Sequence, residues 1–212
     1  MTPQAALSRG LAALAPRLAA PMPDGAPAKL LAYLDLLAKW NRTHNLTAIR
    51  DPLRAVSHHL LDSLAVLPEL PPGPLADVGA GGGLPGIPIA IAEPARRVAL
   101  NDANQKKAAF LRQAVIELRL ANAEVQAGRV EEWRPLERFA VVISRGFSEL
   151  AQFVSSCRHL VAPGGVLAAM KGAFPAAELA AIGADCDCRD VRRLEVPLLD
   201  EERHLVLCRP VA

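Results

Sequence analysis

Asp77, Gly79, Gly81 and Gly83 occupy alternate positions in the segment LADVGAGGGLPG, residues 75–86. Backbone without Cβ atoms can come into contact with a nucleotide-like ligand. An apolar, strand-like run leads into Asp77, and an apolar, helix-compatible run from Ile87 to Ile91 leaves the loop. A second acid, Asp102, closes the next strand-like run, at the spacing where an acidic side chain meets a ribose diol. The chemistry served is the holding of an adenosine-bearing cofactor, in one of two registers. Gly81-x-Gly83-x-x-Gly86 fits a dinucleotide fingerprint, whereas Asp77-x-Gly79-x-Gly81-x-Gly83 fits a loop that binds S-adenosylmethionine. The first glycine of a dinucleotide fingerprint comes straight off the strand. Here that glycine is Gly79, and its third position then falls on Leu84. Asp77 also opposes a pyrophosphate but can face a cationic ligand. The residues therefore favour the second register over the first and over a glycine turn without a ligand.

The elements that must position this loop follow from patterning. Residues 1–20 are rich in Ala and Leu and predict a helix, broken by the prolines from Pro21 to Pro27. Leu30, Leu31, Leu34, Leu37 and Trp40 recur at helical spacing over 29–40. Asn41 to Thr47 reads as irregular, and a further helix is predicted from about Pro52 to Leu67. Pro68, Pro71, Pro72 and Pro74 then mark a boundary between an N-terminal helical extension, 1–72, and a second domain, 73–212. In the second part strands are predicted at 75–79, 97–101, 123–127, 139–144, 165–170 and 204–209. Helices are predicted at 84–92, 104–119, 148–161 and 174–182. This alternation, with near-continuous apolar strands, predicts an α/β fold with a doubly wound, mostly parallel sheet.

Composition bounds the partners. With 24 Lys and Arg against 22 Asp and Glu, the chain has no strong overall field. Residues 1–72 hold seven basic and five acidic residues, so the excess sits in the N-terminal third. Lys39, Arg42, Arg50 and Arg54 cluster against Asp51 alone, a patch suited to phosphates or else a solvated basic face. No apolar run is long enough to span a bilayer, and the N-terminus lacks a secretion signal. Cys157, Cys186, Cys188 and Cys208 include no Cys-x-x-Cys pair. The expectation is a reduced, cytoplasmic protein without a metal. Oligomeric state is not legible.

Seven segments, in order and at matching intervals, carry a resemblance. They are Trp40-Asn41-x-x-x-Asn45-Leu46-Thr47-Ala48-Ile49, His59-Leu60-Leu61-Asp62-Ser63, the loop from Asp77 to Pro88, Arg129-Val130-Glu131-Glu132, Ile143-Ser144-Arg145, Met170-Lys171-Gly172 and Glu202-Arg203-His204-Leu205. From about Leu30 onward the chain resembles the glucose-inhibited division protein B family of 16S rRNA guanine-N7 methyltransferases. The resemblance implies a Rossmann-like methyltransferase domain behind the helical extension. The implied reaction moves a methyl group from S-adenosylmethionine to N7 of a guanosine in the 530 loop of 16S rRNA, leaving S-adenosylhomocysteine. By similarity Gly79, Leu84, Val130, Glu131 and Arg145 line the cofactor site. Asp102 stands where related enzymes place the ribose-binding acid. Ala80 and Gly82 depart from the Thr and Pro frequent in the family, at positions where backbone approach needs no side chain.

The residues limit the reaction independently. No Pro-Cys pair offers the nucleophile for pyrimidine C5 methylation. The loop after the fourth strand, Ser144-Arg145-Gly146-Phe147, is not the Asn/Asp-Pro-Pro-aromatic loop of exocyclic amine methylation. Guanine N7 has an in-plane lone pair and no proton to lose, so no general base is named. Arg129, Arg145 and Lys171 are candidates for positioning substrate. Lys39, Arg42, Arg50, Arg203 and His204 are candidates for RNA contact. His59 is expected to pack against Asp62, and Phe147 to stack on the target base or pack in the core. A nicotinamide-dependent oxidoreductase and a non-catalytic rRNA-binding assembly factor are the rival readings.

Overall fold

The computed structural model describes residues 1–147, 149–183 and 186–211. Seven strands form one sheet in the order β3-β2-β1-β4-β5-β7-β6. They are β1 (Leu75–Val78), β2 (Val98–Asp102), β3 (Ala123–Ala127), β4 (Phe139–Ser144), β5 (Val161–Lys171), β6 (Cys186–Arg193) and β7 (His204–Pro210). Strands β1 to β5 pair in parallel, and β7 runs antiparallel between β5 and β6. The order reverses between β1 and β4, the switch point at whose carboxyl edge open α/β sheets bind ligands. The doubly wound architecture is thus the one the patterning predicts.

The helices are α1 (Pro3–Leu14), α2 (Ala26–His44), α3 (Pro52–Ala55), α4 (Asp62–Leu64), α5 (Gly86–Ala92), α6 (Gln105–Glu117), α7 (Leu150–Cys157) and α8 (Ala176–Ala180). Helix α2 outruns its predicted end at Trp40. It stops where Asn45 turns left-handed at φ 49°, a conformation asparagine tolerates at a helix end. The helix predicted over 52–67 is interrupted by a π-helical segment, Val56–Leu61, a feature often found at functional sites. Ser148, the predicted first residue of a helix, lies outside the described residues.

One apolar core runs from α1 and α2 through α5 and α6 to one face of the sheet, across residue 72 without a break. A second core, under α7, covers the other face. Strand β6 is absent from the sequence expectation. Its residues Asp187, Arg189, Asp190, Arg192 and Arg193 mask the apolar alternation carried by Cys186 and Cys188. Those charges are paired, Arg189 with the nearby Asp187 at 2.7 Å and Arg192 with the distant Glu69 at 2.7 Å. A bulge between Asp187 and Asp190 brings Cys188 opposite Cys208. The two form a disulfide, which corrects the expectation of reduced thiols there. No described helix is long and apolar enough to cross a membrane.

Candidate active site

The glycine loop closes on itself at the carboxyl end of β1. The Gly83 and Leu84 amides donate to the Ala80 carbonyl at 2.7 and 3.1 Å. At Gly83, φ is +83° and a Cβ would stand 2.3 Å from Ile87, so a side chain is excluded on both counts. At Gly86 a Cβ would meet Leu100 at 2.3 Å and the Asp77 carboxylate at 2.8 Å. Gly79 is the contrast. It is exposed, and nothing lies within 4 Å of the position a Cβ would take. Gly128, just past β3, is equally open. The Asn101 side chain fixes that neighbouring turn by donating to the Gln126 and Gly128 carbonyls, each at 3.0 Å.

Two carboxylates hold the loop. Asp102 accepts from the Gly81 amide and from the Asn104 amide, each at 2.8 Å. Two of its lone-pair positions remain for other donors. Asp77 is fully buried and accepts from the Gly86 amide at 2.8 Å. Its Oδ2 thus faces the start of α5, while Oδ1 is buried without a hydrogen-bond partner among the described residues. Burial pushes its carboxyl up to about 7, against the opposing pull of the Gly86 amide and the Arg145 charge. The open backbone at Gly79 and Gly128, with Asp102 alongside the loop, fits an adenosine-bearing cofactor. Val130 is buried in a single helical turn, Val130–Glu132, beyond Gly128, and Leu84 is buried in the loop. Glu131 is exposed and pairs with the exposed Arg129 at 3.5 Å.

A second group of predicted residues converges on a cavity of about 340 Å³ at the ends of β4 and β5, lined in part by His59, Asp62, Arg145, Lys171 and Arg203. Asp62, from the end of the π-helical segment, is its centre. Its buried carboxylate lies 3.4 Å from Arg145 and 3.2 Å from Arg203. Burial raises the Asp62 pKa and the two guanidiniums oppose that rise. Arg145 also donates to the His58 carbonyl at 2.9 Å. It thus reaches the helical region, while a Cβ on the next residue, Gly146, would stand 3.5 Å from the Gly79 carbonyl of the glycine loop. Lys171 pairs with Glu178 at 2.7 Å.

His59 does not pair with Asp62, as the spacing had suggested. Its Nε2 lies 2.9 Å from the Thr47 hydroxyl. Burial and the Arg145 charge lower its pKa to about 4, so the ring is neutral. His204 is buried, with Nδ1 2.8 Å from the Gly172 carbonyl. It supports the cavity wall through Gly172, which lines the cavity. Phe147 packs on Phe153 with ring centroids 5.3 Å apart, the core alternative of the two expected.

Lys39, Arg42 and Arg50 are exposed and make no ion pair among the described residues. Arg42 and Arg50 border a neighbouring cavity of about 320 Å³ between α2 and the 47–59 segment, which His59 also lines. The basic patch and the cationic cavity thus share one rim. Two contributors escaped the sequence reading. Asn41 makes a two-bond clamp on Thr47, donating to its carbonyl at 2.8 Å and accepting from its amide at 3.0 Å. Tyr33 donates to the Gly82 carbonyl at 2.6 Å. The available signal was that this is the only tyrosine of the chain, set among leucines of a core-facing helix.

Solved structures with this fold include TrmN from Thermus thermophilus, at TM-score 0.55 and 16% identity over 74% of this chain and 53% of that one. They also include an S-adenosylhomocysteine complex of a methyltransferase from Geobacter sulfurreducens, at TM-score 0.53 and 12% identity over 85% of this chain and 98% of that one. At these identities they establish the fold. Sequence relatives are much nearer. The ribosomal RNA small subunit methyltransferase G of Laribacter hongkongensis is 51% identical over 94% of this chain and 95% of its own. That of Neisseria gonorrhoeae is 50% identical over 95% of each. The profile of the family described as rRNA small subunit methyltransferase G matches residues 26–206, and with relatives of this identity and coverage the chain belongs to that family.

Proposed function

We propose that this protein transfers the methyl group of S-adenosylmethionine to N7 of a guanosine in the 530 loop of 16S rRNA. One observation carries the choice of N7. The only carboxylate lining the 340 Å³ cavity, among the described residues, is Asp62, and it is committed to two guanidiniums. His59 beside it is neutral and tied to Thr47. A target nitrogen that must lose a proton finds no uncommitted carboxylate in this cavity, whereas N7 needs only alignment and exclusion of water.

In this reading Asp102 receives the ribose hydroxyls, and Gly79, Gly81, Gly83, Leu84, Val130 and Glu131 form the cofactor walls. Asp77 acts through Gly86 by fixing the loop. The cofactor supplies an electrophilic methyl on a sulfonium. Arg145 offers donors to the cofactor carboxylate, a flanking phosphate or guanine O6, and Lys171 and Arg203 to guanine O6 or the phosphates, with Arg129 at the outer rim. Lys39, Arg42 and Arg50 meet the RNA backbone. The division at residue 72 is then functional: the helical extension supplies RNA contacts to a domain holding the methyl donor. Ribosomal RNA as substrate makes the cytoplasm the site of action.

Mapping 7-methylguanosine in 16S rRNA from cells with and without the protein tests this function; an unchanged map removes it. Neutralising Lys39, Arg42 and Arg50 together is expected to weaken RNA association and flatten its dependence on salt by about three counterions' worth. S-adenosylmethionine affinity should stay at the wild-type value. An unaltered salt slope in a filter-binding titration would reduce the patch to a solvated face.

A further inference from the structure

The glycine loop is held from three directions, and one of them lies outside the α/β sheet. Asp102 on β2 takes the Gly81 amide, and Asp77 on β1 takes the Gly86 amide. The third bond comes from α2, where Tyr33 donates to the Gly82 carbonyl at 2.6 Å. Tyr33 is completely buried, and Gly82 is buried with it. The same face of α2 continues one turn later with Leu37. A Cβ on Gly82 would stand 3.1 Å from Leu37 Cδ1 and 3.7 Å from the Leu46 carbonyl. A further turn along, Asn41 clamps Thr47, next to the cavity that Arg145 lines.

We propose that Tyr33 is a positioning residue for the methyl-transfer reaction: through Gly82 it sets the height of the cofactor loop. By this means α2 locks that loop to the substrate rim. The argument rests on the assignment of the glycine loop to the cofactor. Gly82 sits between Gly81 and Gly83, both at left-handed φ, so the loop's own torsions leave it soft. A buried carbonyl has one strong reason to stay in place, its donor, because leaving it unmade costs the desolvation of the acceptor. Burial pushes the Tyr33 hydroxyl far above its ordinary pKa, so it remains a donor across the working pH range. Helix α2 thus has a task beyond carrying basic residues.

The test is Tyr33→Phe, which keeps the ring in its packing and deletes the donor. S-adenosylmethionine binding is measured by calorimetry, and methyl transfer is measured at limiting and saturating cofactor. The expected result is a Kd and KM for S-adenosylmethionine raised roughly tenfold, with kcat and the KM for RNA moving far less. Asp102→Ala is run beside it. If Asp102→Ala weakens the cofactor and Tyr33→Phe leaves its affinity within about twofold, the positioning role is overturned and Tyr33 is only a core residue. If neither variant changes the affinity, the loop assignment itself fails. Should Tyr33→Phe not fold, Gly82→Ala presses the loop away from the same face of α2, and Leu37→Ala added to it returns the lost space. Recovery of cofactor affinity in the double variant upholds the proposal; no recovery overturns it.

Discussion

Replacing Asp102 by alanine is expected to weaken S-adenosylmethionine binding by roughly thirtyfold to a hundredfold, about 2–3 kcal/mol. The carboxylate has two tasks. It already receives the Gly81 and Asn104 amides, so it shapes the loop before any ligand arrives. Its remaining lone pairs are then available to ribose hydroxyls, and bonds to a charged acceptor are among the stronger ones. Alanine removes both and leaves two amides without an acceptor. The loss should therefore appear in calorimetry and also as a lower melting temperature. Unchanged cofactor affinity would sink the assignment, whatever happened to the melting temperature.

The second large effect concerns pH. Burial raises the Asp77 carboxyl from an ordinary 3.8 to about 7. Between those values the native chain keeps a proton that the unfolded chain releases. The associated stability is complete below about pH 4 and drains as pH rises to about 7, on the order of 1.4 kcal/mol per pH unit. Asp77→Asn removes the titration while keeping an oxygen for the Gly86 amide. The variant should match the wild type near pH 4 and exceed it by on the order of 4 kcal/mol at pH 8. Urea titrations at the two pH values measure this. Stability curves that run parallel from pH 4 to 8 would show that Asp77 is ionised throughout.

The parts legible in the sequence were those written in local pattern. The run from Leu75 to Ile91 announces strand, loop and helix because apolar residues and glycines fall at the spacing each element needs. Asp102 was found because a strand's length fixes its distance from the loop. What escaped was set by contacts distant in sequence. Strand β6 could not be read from a stretch so charged, since its order depends on β7 beside it and on ion pairs such as Arg192 with Glu69. The end of α2 was misplaced because Asn41 looks like a helix breaker, whereas its side chain is occupied with Thr47. Asp62, Arg145 and Arg203 were each visible as matching motifs. That they form one charge cluster is a property of the sheet edge, with Asp62 and Arg203 lying 141 positions apart in the chain. Histidines in a predicted helix likewise gave no hint of the π-helical turn that presents His58 and His59 to the two cavities.

The strand order has a consequence for how the chain is made. Strand β7 lies between β5 and β6, yet it follows both in sequence. As the nascent chain elongates, β6 emerges before the strand that must stand between it and the rest of the sheet. Ten residues separate Arg193 from His204, on the order of a second of elongation. During that interval β5 presents an unpaired edge, the kind of surface on which chains aggregate. Substitutions in β7 should therefore register first as lost soluble yield from cells, with little change in activity per folded molecule. Ribosome stalling before residue 204 would leave the β5 edge without the strand that covers it.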